Sequence, residues 1–371
     1  MDSLQLLNQF YYASSSANVR RSTEPLHSNQ VLTTGTTEYF FFITALGNPF
    51  LRNMQMPLSG TNIFFINSIV GYLQLNITTT ALTNALNELL QQSFLEISVD
   101  NRVVCKLPGL DFINYMYGDV TSDQVVLTRF QPRLGGNKNS DGTLGRKLPI
   151  PIVYNSQSAF QFRFVTTAAA ATAFNGINFK LALNGVRFDK LDYFNWDEVK
   201  GNLFSRVPVT YYETRAIANG NQTTYQLFNN IGVANNLISK TFPLPNTYGF
   251  SLQNMEIFFN QPDTPIEPTT IYNSRITNIL RMNVNNVQFY EAVLNNDLTS
   301  VVASFGQTLT TTPNLDCVTT FNQRVSKTFD VPLNIAPTSN VEITLEQPAS
   351  SLGITGEITI ALRGVETRTL V

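Results

Sequence analysis

The sequence predicts an all-β chain made of two tandem sandwiches, on three observations. Short runs of apolar residues alternate with polar ones from residue 39 onward, the length suits two domains, and a set of sequence blocks recurs 179 to 186 residues apart. At 371 residues the chain exceeds the about 100–200 residues usual for one domain, so each half is long enough to bury its own core.

Residues 1–37 differ from the rest. Leu4, Leu6, Leu7, Phe10 and Tyr11 have spacings compatible with one helical face, and Ser14, Ser15, Ser16, Arg20 and Arg21 follow. This segment is expected to be an N-terminal arm, either a helix packed on its own domain or a segment that grips a neighbour or a membrane surface. From Tyr39 the texture is β. Phe160, Phe162 and Phe164, and later Val341, Ile343 and Leu345, are separated by polar residues, which puts one face of each strand in a core and the other outside. Residues 78–94 break this pattern. Leu82, Leu86, Leu89 and Leu90 recur at helical spacing behind the capping candidates Thr78, Thr79 and Thr80, predicting one amphipathic helix inserted between strands and packed across one end of a sandwich. The Ala/Thr run from Ala168 to Ala173 is expected to be a loop.

The repeated blocks fix the organisation. Tyr39 to Phe42 match Tyr225 to Phe228, and Pro57-Leu58 match Pro243-Leu244, both at an offset of 186. Ile97 to Asn101 match Met282 to Asn286 at 185, Leu148-Pro149-Ile150 match Val331-Pro332-Leu333 at 183, and Ser158 to Phe164 match Ser339 to Leu345 at 181. Phe179, Leu181, Ala182, Leu183, Gly185 and Val186 match Ile358, Ile360, Ala361, Leu362, Gly364 and Val365 at 179. The order is kept and the offset drifts in one direction, as it would if small loop-length differences accumulated along a duplicated unit. The expected division is an arm at 1–37, a first sandwich at 38–200 and a second at 201–371, joined near Gly201. Just before the join, Tyr193, Phe194 and the only tryptophan, Trp196, either wedge the sandwiches together or belong to the first core.

Only 13% of the residues are charged and the formal net charge is -2, against about 25% charged residues in an ordinary soluble chain. So little repulsion favours association with like copies, and it leaves no basic footprint for a nucleic-acid coat. Cys105 and Cys317 fall in separate halves, outline no disulfide framework, and are expected to be buried thiols. No basic and apolar leader opens the sequence, and no apolar run is long enough to span a bilayer, so neither a secretory signal nor a membrane span is expected.

Two tandem sandwiches of this size, taken as eight-stranded jelly rolls, resemble the major capsid proteins of tailless icosahedral viruses of the double jelly-roll lineage, including the internal-membrane bacteriophages. The likeness is carried by the Pro-containing strand openings at 148–152 and 331–335, the closing strands at 179–186 and 358–365, and the polar arm before Tyr39. The resemblance covers nearly the whole chain but rests on architecture and texture, not on a diagnostic motif. It implies a double jelly roll with a short N-terminal arm and one or more inserted helices, assembled as a homotrimeric pseudo-hexagonal capsomer. The implied partners are neighbouring capsomers, minor capsid and vertex proteins, and an internal viral membrane reached by the arm. The implied location is the virion, after synthesis in the host cytoplasm. The Asn- and Thr-rich loops at 219–224 and 309–314 would be towers, interface loops or ordinary solvated turns.

Catalytic chemistry finds few candidates. With His27 as the only histidine, the chain lacks what most nucleophilic triads and zinc sites need. Asp189, Asp192, Asp197 and Glu198 form the densest acidic cluster, readable as a calcium loop or a solvated linker. Gly135 and Gly136, among Arg133, Asn137, Lys138 and Asn139, have the wrong spacing for a phosphate-binding loop. Arg129, Arg133, Arg146 and Lys147 concentrate positive charge, either solvating that loop or meeting acidic neighbours in an assembly. No catalytic residue, cofactor or metal ligand is assigned, and the chain is expected to be structural. The alternatives are a viral spike or receptor-binding protein, and a carbohydrate-binding module or glycosidase on a β-sandwich.

Overall fold

A computed structural model describes residues 5, 7–9, 21–43, 63–75, 80–117, 145–155, 158–188, 196–217, 224–229, 237–238, 240–260, 278–293, 299–301, 327–346 and 356–369. The described chain is dominated by β-strands, and it divides into two compact units, the first of Met1–Asn76, Glu88–Val209 and Leu370–Val371 and the second of Ile77–Asn87 and Thr210–Thr369.

The first unit holds β1 (Arg21–Val31), β2 (Glu38–Phe41), β3 (Ile63–Leu75), β4 (Phe94–Val99), β5 (Arg102–Pro108), β6 (Ile113–Tyr117), β7 (Arg146–Asn155), β8 (Phe160–Val165) and β9 (Asn178–Phe188). One sheet runs β1-β9-β3 with β7 beside β3, and the other runs β2-β8-β4-β5. Setting β6 aside, the strands in chain order B to I give a B-I-D-G sheet facing C-H-E-F, which is the jelly roll.

The second unit holds β10 (Arg206–Ile217), β11 (Thr224–Leu227), β12 (Leu237–Ile238), β13 (Tyr248–Asn260), β14 (Ile279–Val284), β15 (Val287–Val293), β16 (Thr299–Val301), β17 (Lys327–Ile335), β18 (Val341–Glu346) and β19 (Gly356–Arg368). Its sheets run β10-β19-β13 with β17 beside β13, and β11-β18-β14-β15. With β12 and β16 set aside, this is the same B-I-D-G and C-H-E-F order. The chain is therefore a double jelly roll, established by strand order alone.

The repeat extends to irregular details. Each D strand is bulged at one place, between Ile66 and Ser68 and between Leu252 and Asn254. Across from these bulges lie Gly185 and Gly364, where a Cβ would stand 2.0 Å from the carbonyl oxygens of Phe65 and Ser251. Only glycine admits so close a backbone approach. The E–F turns place Asp100-Asn101 and Asn285-Asn286 at positive φ, as two-residue hairpins require. Each C strand is followed by a phenylalanine held at positive φ, 62° at Phe42 and 61° at Phe228. Even the additional strands correspond: β6 runs parallel to β3 from Gly71↔Ile113, and β16 parallel to β13 from Ile257↔Thr299, each member shifted by 186.

Among the described residues four helices interrupt the strands: α1 (Thr80–Gln92), α2 (Gly109–Phe112), α3 (Ala168–Ala173) and α4 (Trp196–Ser205). The helix predicted at 78–94 is α1, with Leu86, Leu89 and Leu90 buried. Residues 168–173, expected as a loop, form α3, because Thr167 caps the first turn by accepting from the Ala170 amide at 3.1 Å.

Residues 21–31, expected within an arm, instead form the first strand, paired from Arg21↔Phe188 to Val31↔Asn178. The reading failed because the segment lacks apolar alternation: it lies at the edge of its sheet, where Pro25 costs no central ladder bond. Residue 5 and residues 7–9 are helical, and the rest of residues 1–20 lies outside the described residues. Gly201, expected at the join, lies inside α4.

The cores differ in filling. The first unit packs rings: Phe164 lies 4.6 Å from Phe179, Phe41 5.5 Å from Phe179, and Phe112 6.2 Å from Phe164. At the positions matching Phe41, Phe164 and Phe179 the second unit buries Leu227, Leu345 and Ile358. Its rings gather elsewhere, with Tyr211 4.4 Å from Phe250 and Phe228 6.0 Å from Phe242.

Candidate functional site

The side chains that the sequence offers for chemistry are dispersed or turned inward. Cys105 is buried on β5, and burial pushes its thiol up to about 12, which removes it as a nucleophile near neutral pH. His27 is half-buried on β1 opposite Ala182. Of the acidic cluster, Asp197 is exposed on α4, while Asp189, Asp192 and the Glu198 side chain lie outside the described residues. Of the basic group, Arg146 turns inward, its Nε 3.8 Å from the buried Asp111 Oδ2, and Lys147 faces solvent. Arg129, Arg133, Gly135, Gly136, Asn137, Lys138, Asn139 and Cys317 lie outside the described residues, as do the loops at 219–223 and 309–314. Among the described residues no group of three His, Cys, Asp or Glu side chains is placed to hold a metal ion, and no helix is long and apolar enough to cross a membrane.

What the fold does build is a pair of corresponding sides, formed in each unit by the F and G strands. In the first unit this side is covered. Helix α4 packs against β5 and β7 and buries Trp196, Val199, Leu203 and Phe204. Trp196 Nε1 donates to Ser158 Oγ at 2.8 Å, and Lys200 pairs with Asp100 on the E–F turn. That cation, followed by the Ala159 amide and Ser158, holds the Asp100 carboxyl below its usual range. Arg102 lies over the Phe204 ring, 5.1 Å from its centroid. Trp196 thus belongs to the first unit's packing, and Tyr193 and Phe194 lie outside the described residues.

In the second unit no described helix packs on the same side. The turn itself is kept: Asn285 Oδ1 accepts from the Asn340 amide at 3.0 Å, just as Asp100 Oδ1 accepts from Ala159. The residues beside it are exposed. Val104 is 1% exposed and its counterpart Phe289 48%; Leu148 is 5% exposed and its counterpart Val331 79%; Val287, in the place of Arg102, is 67% exposed. Tyr290 and Phe329, with ring centroids 5.7 Å apart, tie β15 to β17, so the exposed residues share one side of the unit. Sequence reasoning missed this surface, because the apolar pattern of β15 and β17 reads as ordinary core strand.

The charge at these corresponding positions is inverted. Lys106 is matched by Glu291 and Lys147 by Asp330, all four exposed. Across whole units, the first carries 16 Lys and Arg against 14 Asp and Glu, and the second 8 against 12.

No protein-family model matches the sequence, and neither does any curated protein. Solved structures with similarity include the crystal structure of the STIV MCP, at 10% identity and a TM-score of 0.35, covering 94% of this chain and 97% of that one. A quasi-atomic model of the PBCV-1 virus capsid follows at 11% identity and a TM-score of 0.27, covering 94% and 96%. The CUB1-EGF-CUB2 domain of human MASP-1/3 has 10% identity and a TM-score of 0.12, covering 93% and 99%.

Proposed function

We propose that the chain is a major capsid protein, a structural and non-enzymatic subunit of an icosahedral virus shell that assembles as a homotrimer. The observation that carries this reading is the repetition of one jelly-roll path twice in a single chain. Three such chains give six similar blocks around a threefold axis, a near-hexagonal outline that tiles a surface while the assembly stays a trimer. A charge-poor composition supports it, since weak mutual repulsion lets many copies pack edge to edge.

In this reading the protein resides in the virion after synthesis in the host cytoplasm, and it meets neighbouring capsomers and minor capsid and vertex proteins. The residues before β1 make contacts beneath the shell, with a neighbouring subunit or an internal membrane.

Electron microscopy of the purified protein under conditions that promote assembly tests the proposal. Hexagonal capsomers, flat arrays or closed shells are the expected result. Discrete fibres, as a spike would give, or dispersed monomers that bind sugar would overturn it.

A further inference from the structure

Each jelly roll closes its B–C corner at the same place but by different chemistry. In the first unit Ser28 Oγ accepts from the Phe42 amide at 3.1 Å, and Gln30 Nε2 donates to the Phe40 carbonyl at 2.6 Å. Both side chains are neutral. The positions 185 residues further on are Glu213 and Arg215. There the Glu213 carboxylate accepts from the Phe228 amide, and the Arg215 guanidinium donates to the Gln226 carbonyl. These bonds tie β11 and the turn that follows it to β10, and β12 pairs with β10 at the same residues, Glu213↔Ile238 and Thr214↔Leu237.

Two features load the second corner. Phe228 is held at φ 61°, where a side chain crowds its own backbone, by its amide bond to Glu213 and by the Phe242 amide, which donates to its carbonyl at 2.9 Å. Glu213 is 1% exposed, and Arg215 Nε stands 3.8 Å from its Oε1, too far for a hydrogen bond. An ionised Glu213 is therefore only partly compensated. The other charges around β10 have partners of their own. Tyr211, two residues back on β10, donates to Glu366 on β19, which pairs with Arg368 at 2.6 Å. Residues 224–229 and β12 bring no charged group, and only the Tyr225 phenol as a titratable one. β5 meets β10 at Val209, opposite Lys106, whose ammonium lies 4.0 Å from the Phe94 ring centroid.

We propose that the B–C corner of the second unit is a pH-operated clasp, which holds β11, its following turn and β12 on β10 while Glu213 is protonated and lets them part when that proton is lost. Burial holds the Glu213 carboxyl above the usual carboxylate range. A closed corner thus binds the proton more tightly than an open one, in which water reaches the carboxyl. Closure is full below the open-corner pKa and is lost as pH rises through the closed-corner value. Opening also lets Phe228 return to an ordinary φ, so the backbone favours release as well. The first unit's corner, closed by Ser28 and Gln30, has no group of this kind to titrate and stays shut. The clasp acts within one chain and requires no capsid.

Hydrogen exchange of the full-length protein, followed by mass spectrometry from about pH 4 to about pH 8, spans the ordinary glutamate value and the range above it. Protection factors, which remove the pH dependence of exchange itself, are compared between peptides containing Phe228 or Ile238 and peptides containing Phe42. The second-unit peptides are expected to lose protection about tenfold per pH unit between the two pKa values, while the Phe42 peptides hold constant. Glu213→Gln keeps an acceptor for the Phe228 amide and should hold the second-unit peptides at their acidic protection throughout. Wild-type protection that falls equally in both units, or in neither, overturns the clasp, and that comparison needs no variant to fold. A fall that persists unchanged in Glu213→Gln overturns it as well.

Discussion

At the bulge shared by the two D strands, the first unit uses Asn184, whose amide donates to Ser68 Oγ at 3.1 Å. At the same place in the second unit stands Arg363, reaching Asn254 Oδ1 at 2.8 Å and Glu256 at 2.6 Å, with both members of the ion pair almost fully buried. A second polar contact diverges in the same way. Ser28 Oγ accepts from the Phe42 amide at 3.1 Å, whereas in the second unit the buried Glu213 carboxylate accepts from the Phe228 amide. The backbone events are common to both units: a bulge, a glycine facing a carbonyl, a phenylalanine at positive φ. The side chains that satisfy them are neutral in one and ionic in the other. The comparison teaches that strand path and backbone hydrogen bonding define this fold, and that polar groups need only be paired, by whatever chemistry fits.

The comparison can be broken most forcefully at β1. Deleting residues 1–31 removes a whole strand of the first B-I-D-G sheet and is expected to abolish cooperative folding of that unit, while deleting residues 1–20 leaves it intact. Limited proteolysis with calorimetry distinguishes the two. Equal stability of both truncations would contradict the assignment of residues 21–31 as strand B.

Smaller effects sharpen the contrast at the bulge. Glu256→Ala strands the buried Arg363 and should destabilise the second unit by about 3–5 kcal/mol. Asn184→Ala in the first unit leaves only a hydroxyl without its donor and should cost about 1–3 kcal/mol. Denaturant unfolding measures both, and equal costs would show that the ion pair is not desolvated as its burial implies.

The smallest effect concerns pH. Burial outweighs the Phe228 amide and the Arg215 charge and holds the Glu213 carboxyl above the usual carboxylate range. The folded unit then binds this proton more tightly than the unfolded chain does. Its contribution is full below the unfolded pKa and is lost as pH rises through the raised folded value. Glu213→Gln should flatten this part of the stability profile between mildly acidic and neutral pH. Ser28→Ala, at the matching place in the first unit, should shift stability equally at every pH.

Much of this fold was legible in the sequence because core residues alternate wherever a strand is half-buried. Phe160, Phe162 and Phe164 announced β8, and the drifting offsets aligned each matched pair of strands. Strand β1 was not legible: its polar run RSTEPLHSNQV shows only Leu26 and Val31 as aliphatic signals and carries a proline. The offset of 185 that relates Ser28 to Glu213 would have revealed it, had the duplication been extended backward into the arm. The exposed apolar residues of the second unit were hidden for a different reason. Val331 occupies the place of Leu148 in a matching Pro-containing block, and nothing in an apolar residue's identity records whether a helix covers it. In the first unit α4 packs on β7, the strand that carries Leu148, and α4 lies beyond the first unit's closing strand in sequence.

If two like sandwiches in one chain build a trimeric shell subunit, as proposed, the solution mass of the intact protein, measured by light scattering over a wide concentration range, will show it. A stable species near three times 41.4 kDa is the expected result. A strict monomer at every concentration would contradict it.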